Sequence, residues 1–201
     1  MRVRAACSAI VAMVGVLVLA PPVLAGAPNY DCVAGGHGRV AIDQWGGVVA
    51  VSGISGGPTR WADLVNVRQN GPSLDIAFNL GGALWRAAVR GGGTSFVLSR
   101  PEGKLTGHCQ VMLGTYVLRR ADAGGSALRA APSGSARRLL RIPLGTAVWE
   151  VPNPQAAWNA GSNSYPARTD GAWYLVSTFI VRAGSHATAG GWLRQRLPST
   201  R

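Results

Sequence analysis

Apolar and polar residues alternate in short runs from Tyr30 to Leu118. Leu74-Asp75-Ile76-Ala77-Phe78 reads apolar-polar-apolar and stops at Gly81-Gly82. Leu84 to Val89 follows and stops at Gly91-Gly92-Gly93. Thr94 to Arg100 is β-branched and aromatic and stops at Pro101-Glu102-Gly103, and Lys104 to Leu113 is the next run. Upstream, Arg39 to Ile42 and Val48 to Ile54 are weaker runs with Gly46-Gly47 between them. A period of two punctuated by glycine turns predicts an antiparallel meander. Trp61 to Arg68 is ambiguous, because apolar positions 61, 64, 65 and 67 also suit one face of a helix.

Ahead of this meander the pattern is of another kind. Arg2 and Arg4 precede an unbroken apolar stretch, Ala9 to Ala20, which Pro21-Pro22 ends. Small residues follow at Ala25 and Ala27. This is the three-part form of a secretory signal, with cleavage expected after Ala27 and Ala25 as the competing position. The apolar stretch is shorter than the ~20 residues that span a bilayer. The expected organisation is a signal over 1–27, an N-terminal β domain over 28–118, a Gly-rich linker over 119–126 and a second domain over 127–198. The product is expected to be exported, to the periplasm or the medium.

Export changes the meaning of the composition. The chain has 20 Lys+Arg against 8 Asp+Glu, a formal charge of +12, and Lys104 is its one lysine. Loss of Arg2 and Arg4 leaves 18 basic and 8 acidic residues, or +10, spread over both domains. Such a surface suits an anionic envelope polymer, or serves solubility alone. Outside the cell it does not indicate a nucleic-acid partner. Of three cysteines, Cys7 leaves with the signal, and Cys32 and Cys109 remain. In an oxidising compartment they are expected to pair, joining the first and last strands of the meander. The alternative is a zinc site of Cys32, His37, His108 and Cys109, whose spacings match the usual patterns poorly. The N-terminal domain is therefore expected as a disulfide-closed antiparallel β-barrel or sandwich.

The last third of the chain carries a grammar in order. Leu128-Arg129-Ala130-Ala131-Pro132-Ser133 opens it. Ile142-Pro143-Leu144-Gly145-Thr146-Ala147-Val148 follows, then Gly171-Ala172-Trp173-Tyr174-Leu175-Val176, and Gly191-Trp192-Leu193 closes it. This order resembles the bacterial Src-homology-3 domain of exported proteins. The resemblance implies a small second β-barrel and binding without catalysis, to peptidoglycan or to an extracytoplasmic protein or peptide. Two stretches, 152–169 and 177–190, are insertions relative to that pattern and are expected as long loops. More weakly, the early Tyr30-x-Cys32, the Gly-rich hairpins and the late Cys109 resemble small periplasmic β-barrels of the lysozyme-inhibitor kind.

The resemblance points to an aromatic groove for an extended ligand. Its candidates are Trp158, Tyr165, Trp173 and Tyr174, with Asp170 as an acceptor; core packing is the competing role for each aromatic. Arg137, Arg138 and Arg141 form the nearest thing to a basic patch. No catalytic residue, metal or cofactor is expected. The three histidines lie apart, no Gly-x-Ser-x-Gly elbow occurs, and the acids are too scattered for a glycosidase pair. The expected function is a non-catalytic binding protein of the cell envelope. The alternative is an inhibitor or accessory factor of a wall-cleaving enzyme, acting through the N-terminal domain.

Overall fold

The computed structural model describes residues 28–54, 57–112, 116–121, 127–151, 169–170, 173–182 and 185–194. The expected signal and its cleavage position at Ala27 lie outside them, as do Trp158, Tyr165 and most of the expected linker.

Eight antiparallel strands close into a barrel: β1 (Asn29–Ala34), β2 (Gly38–Asp43), β3 (Val48–Ser52), β4 (Arg60–Asn70), β5 (Ser73–Leu80), β6 (Ala83–Arg90), β7 (Ser95–Arg100) and β8 (Gly103–Met112). Each strand pairs with the next, and β1 closes the ring on β8. Alternation fills the interior. Leu74, Ile76, Phe78 and Leu80 of β5 point inward, as do Trp85, Ala87 and Val89 of β6 and Phe96 and Leu98 of β7. Tyr30, Cys32, Val40, Ile42, Val49 and Val51 complete the packing from β1 to β3.

Closure is held by covalent and steric means. Cys32 stands opposite Cys109 in the β1–β8 register, and the two form a disulfide. Their pairing takes both thiols out of the alternative zinc site. At Gly107 a Cβ would lie 1.8 Å from the Val33 carbonyl oxygen, so only glycine lets β8 approach β1 this closely.

Trp61 to Arg68 is strand, not helix. A β-bulge between Leu64 and Asn66 breaks its alternation. Inward-facing positions change parity there, which is why the apolar spacing imitates a helix.

The second half is also all-β. Its strands are β9 (Val117–Arg120), β10 (Ala127–Arg129), β11 (Arg138–Arg141), β12 (Ala147–Glu150), β13 (Thr169–Asp170), β14 (Trp173–Arg182) and β15 (Ser185–Arg194). They form one sheet in the order β11-β10-β15-β14-β12-β9, with β13 beside β14. Two expectations change here. Arg119 and Arg120, placed at the start of the linker, are the end of β9 and pair with Val148 and Ala147. The stretch 177–190 is not an inserted loop. It extends β14 and β15 into a long hairpin, paired from Ser177↔Gly190 to Arg182↔Ser185. Leu128, Ile142, Val148, Val176 and Leu193 form the core of this half.

The barrel and the second sheet pack together. Strands β1 to β3 are buried on nearly every residue because their outer face is covered. Ala41, Val48, Ala50 and Met112 of the barrel meet Leu118, Ala147 and Trp149 of the sheet. Strands β4 to β8 keep their outer faces largely in solvent.

Candidate binding surface on the barrel

The contact between barrel and sheet holds a buried polar network. The carboxylate of Asp31 accepts bonds from both Nε (2.7 Å) and Nη2 of Arg39, and from the indole Nε1 of Trp149 (2.5 Å). Arg39 Nη1 donates to the Ala147 carbonyl at 2.9 Å and to Thr178 Oγ1 at 3.1 Å. Asp31 and Arg39 are 2% and 3% exposed, so no external ligand reaches them. Trp61 Nε1 adds a bond to the Gly145 carbonyl, 2.9 Å. Gly145, at φ 76°, occupies the turn expected of Leu144-Gly145-Thr146. These contacts join the two halves.

Of the expected aromatic groove, Trp158 and Tyr165 lie outside the described residues, and Trp173 and Tyr174 do not share a face. Trp173 is 9% exposed, and the guanidinium carbon of Arg194 sits 5.9 Å from its ring centroid. Tyr174 is half-buried and packs against the core of the second sheet. Successive residues of a strand point to opposite faces, so Trp173 and Tyr174 cannot line the same groove. Asp170 stands opposite Trp173 in the β13–β14 register.

The expected basic residues are exposed. Arg138 and Arg141 lie on β11, the edge strand of the sheet, and Arg137 immediately precedes it. The register sets Arg138 opposite Arg129 and Arg141 opposite Ala127, two residues apart on β10, with a bulge on β11 between them, so Arg138 and Arg141 share a face along this edge. Leu139, 41% exposed, lies between them.

A cleft that the sequence did not reveal lies on the outside of the barrel. Asn66, Arg68, Asp75, Ile76, Ala77 and Arg86 line a space of about 270 Å³ across β4, β5 and β6. The register explains it. Asn66 stands opposite Ala77, and Ala77 opposite Arg86; one row on, Arg68 stands opposite Asp75, and Asp75 opposite Ala88. The small side chain of Ala77 leaves a low floor between the longer side chains of Asn66 and Arg86. Asp75 is already engaged by Arg90, whose Nη2 lies 2.6 Å from Oδ1. Arg90 is held in turn by its Nη1 on the carbonyls of Val89 (2.9 Å) and Leu74 (3.2 Å). Arg68 and Arg86 are exposed and form no ion pair among the described residues. The cleft therefore offers two uncommitted guanidiniums and the Asn66 amide, a donor-rich surface suited to carboxylate or phosphate oxygens. Alternation puts Arg68 and Arg86 outward, but only the bulge and the hairpin registers bring them to one place.

Among the described residues no group of three His, Cys, Asp or Glu side chains is placed to hold a metal ion. Comparison with family models, curated proteins and solved structures found no match to this chain.

Proposed function

We propose that this chain is an exported, non-catalytic binding protein that recognises the cell wall, or an extracytoplasmic protein or peptide, through its arginine-bearing outer surface. One observation carries the reading: Arg68 and Arg86 flank a cleft on the exposed face of the barrel and form no ion pair among the described residues, the cleft's carboxylate, Asp75, being bonded to Arg90. Exposed guanidiniums without partners keep their full attraction for an anionic ligand. The basic edge at Arg137, Arg138 and Arg141 adds charge of the same sign on the second sheet. In this reading the second half remains a Src-homology-3-like module, on the strength of its four ordered sequence pieces.

Co-sedimentation with purified peptidoglycan tests the wall arm. Retention at physiological salt, weakened by Arg68→Gln with Arg86→Gln and by added salt, supports it. No retention of the exported form removes it. The cleft lies on the barrel and not on the second sheet, and that favours one further reading: inhibition or assistance of a wall-cleaving enzyme through the N-terminal domain. Protection of wall material from lysozyme by the whole exported chain, lost in the same double variant, distinguishes that role from simple attachment.

A further inference from the structure

The cleft adjoins an open strand edge. Strand β3 pairs with β4 only from Val51↔Arg60 to Val48↔Asp63, and the last bond on that side runs from Leu64 N to the Gly47 carbonyl, 2.8 Å. Beyond it, residues 65–70 of β4 have a strand neighbour on the β5 side alone, among the described residues. This edge is well exposed: Val65 is 61% and Val67 43% accessible, and Asn66 and Arg68 are exposed between them. Unpaired backbone N–H and C=O groups on a strand edge form a template for another strand.

We propose that residues 65–70 of β4 take an acidic, extended segment of a partner protein as an added strand, with one of its carboxylates held beside Arg68 at the mouth of the Arg68–Arg86 cleft. Adjacent strands lie ~4.8 Å apart. The outward side chains of the added strand thus become direct neighbours of Asn66 and Arg68. Arg86, on β6 at the far side of the cleft, adds attraction at longer range. The occupant is a peptide because the edge offers backbone hydrogen-bonding groups that only another backbone matches in a ladder. It is acidic because Arg68, the one cation on residues 65–70, forms no ion pair among the described residues. It is not a second copy of this chain: that copy would bring its own Arg68 to the same edge, and two exported chains of formal charge 18 − 8 = +10 repel. The inference rests on the binding-protein reading above and adds the partner's chemistry.

The test uses the exported chain and a labelled model heptapeptide in which two glutamates alternate with valines. Controls are its lysine counterpart and two versions N-methylated on alternate backbone nitrogens, one for each edge of the peptide. Fluorescence anisotropy is expected to show saturable binding of the glutamate peptide and none of the lysine peptide. One methylation pattern is expected to abolish binding and the other to spare it, because only one edge of an added strand faces β4. Amide shifts should centre on residues 65–70. Arg68→Gln is expected to weaken binding by about tenfold or more, the loss of a charge-assisted hydrogen bond. Arg86→Gln should weaken it less, and Lys104→Gln, at an exposed cation on β8, should leave it unchanged. No binding, equal binding of both methylated peptides, or shifts centred elsewhere overturns the inference. Retention on peptidoglycan without peptide binding overturns it while leaving the wall reading standing. Peptide binding without retention removes the wall arm alone.

Discussion

Trp149 of the second sheet donates its indole N–H to the carboxylate of Asp31 in the barrel, across 118 residues of sequence. The same carboxylate holds Arg39, and Arg39 reaches back to Ala147 and Thr178 of the sheet. Two β structures that a sequence reading separates with a linker thus share one buried charge network and one apolar seam. The Asp31–Arg39 pair lies within the barrel, between β1 and β2, but its bonds to Trp149, Ala147 and Thr178 form only when the halves dock.

Removing the indole donor while keeping an aromatic ring isolates this bond. Trp149→Phe is expected to lower stability by about 1.5–3 kcal/mol, the range for a hydrogen bond to a charged group. Urea unfolding of the exported chain measures it. Wild-type calorimetry should show a single transition, since the halves share a core. A wild-type trace with two separate transitions would contradict the coupling.

The carboxylate itself matters more. Asp31→Ala leaves the Arg39 guanidinium buried without its counter-charge, and a buried pair broken on one side costs about 3–5 kcal/mol. Replacing both partners with apolar residues, Asp31→Leu with Arg39→Met, should recover much of the loss, since no charge is then stranded. Comparison of the three unfolding curves checks this. A loss under about 1 kcal/mol for the single variant would mean that water or another group satisfies Arg39.

The disulfide spans a sequence separation of 77 residues. Cys32→Ala with Cys109→Ala frees the first and last barrel strands in the unfolded chain. On the chain-entropy model the loss is about 4 kcal/mol. The denaturation midpoint of the double variant should match that of the reduced wild type. Stability equal to the oxidised protein would show that the β1–β8 hydrogen bonds alone hold the seam.

Burial raises the pKa of Glu150 above its ordinary 4.5, and the charge and hydrogen bond of Arg119, at 3.2 Å, pull only partly the other way. A carboxyl with a raised folded-state pKa binds its proton more tightly in the folded chain than in the unfolded one. Its contribution is therefore complete below 4.5 and is lost as pH rises through the raised folded value. Glu150→Gln keeps an acceptor for Arg119 and cannot ionise. The melting temperature of the wild type relative to this variant is expected to fall across that window and then level off. A difference that is flat with pH would show that Glu150 ionises at no cost.

Much of the barrel was legible in the sequence, for a local reason. Runs such as Leu74-Asp75-Ile76-Ala77-Phe78 alternate because one face meets a core, and glycines at φ above +50° such as Gly81 and Gly82 mark where the chain turns. The pairing of Cys32 and Cys109 was legible from their count and from the oxidising compartment that the apolar leader led the sequence reading to expect. Trp61 to Arg68 was ambiguous because the bulge at Leu64/Asn66 shifts the phase of its alternation. The stretch 177–190 did not read as strand because its two halves pair mainly with each other, and backbone pairing needs no apolar period.

The sequence by itself determined an all-β chain, glycine-punctuated hairpins and a disulfide between the ends of a meander. Each of these follows from neighbours along the chain or from the chemistry of a residue type. The tertiary structure decided which outer face of the barrel is covered and which is free, and with it the roles of the arginines. Arg39 is consumed in a buried network because β2 lies under the second sheet, whereas Arg68 and Arg86 stay available because β6 and the part of β4 beyond its bulge do not. Burial and register are set by elements far apart in sequence, and no local pattern distinguishes one arginine from another.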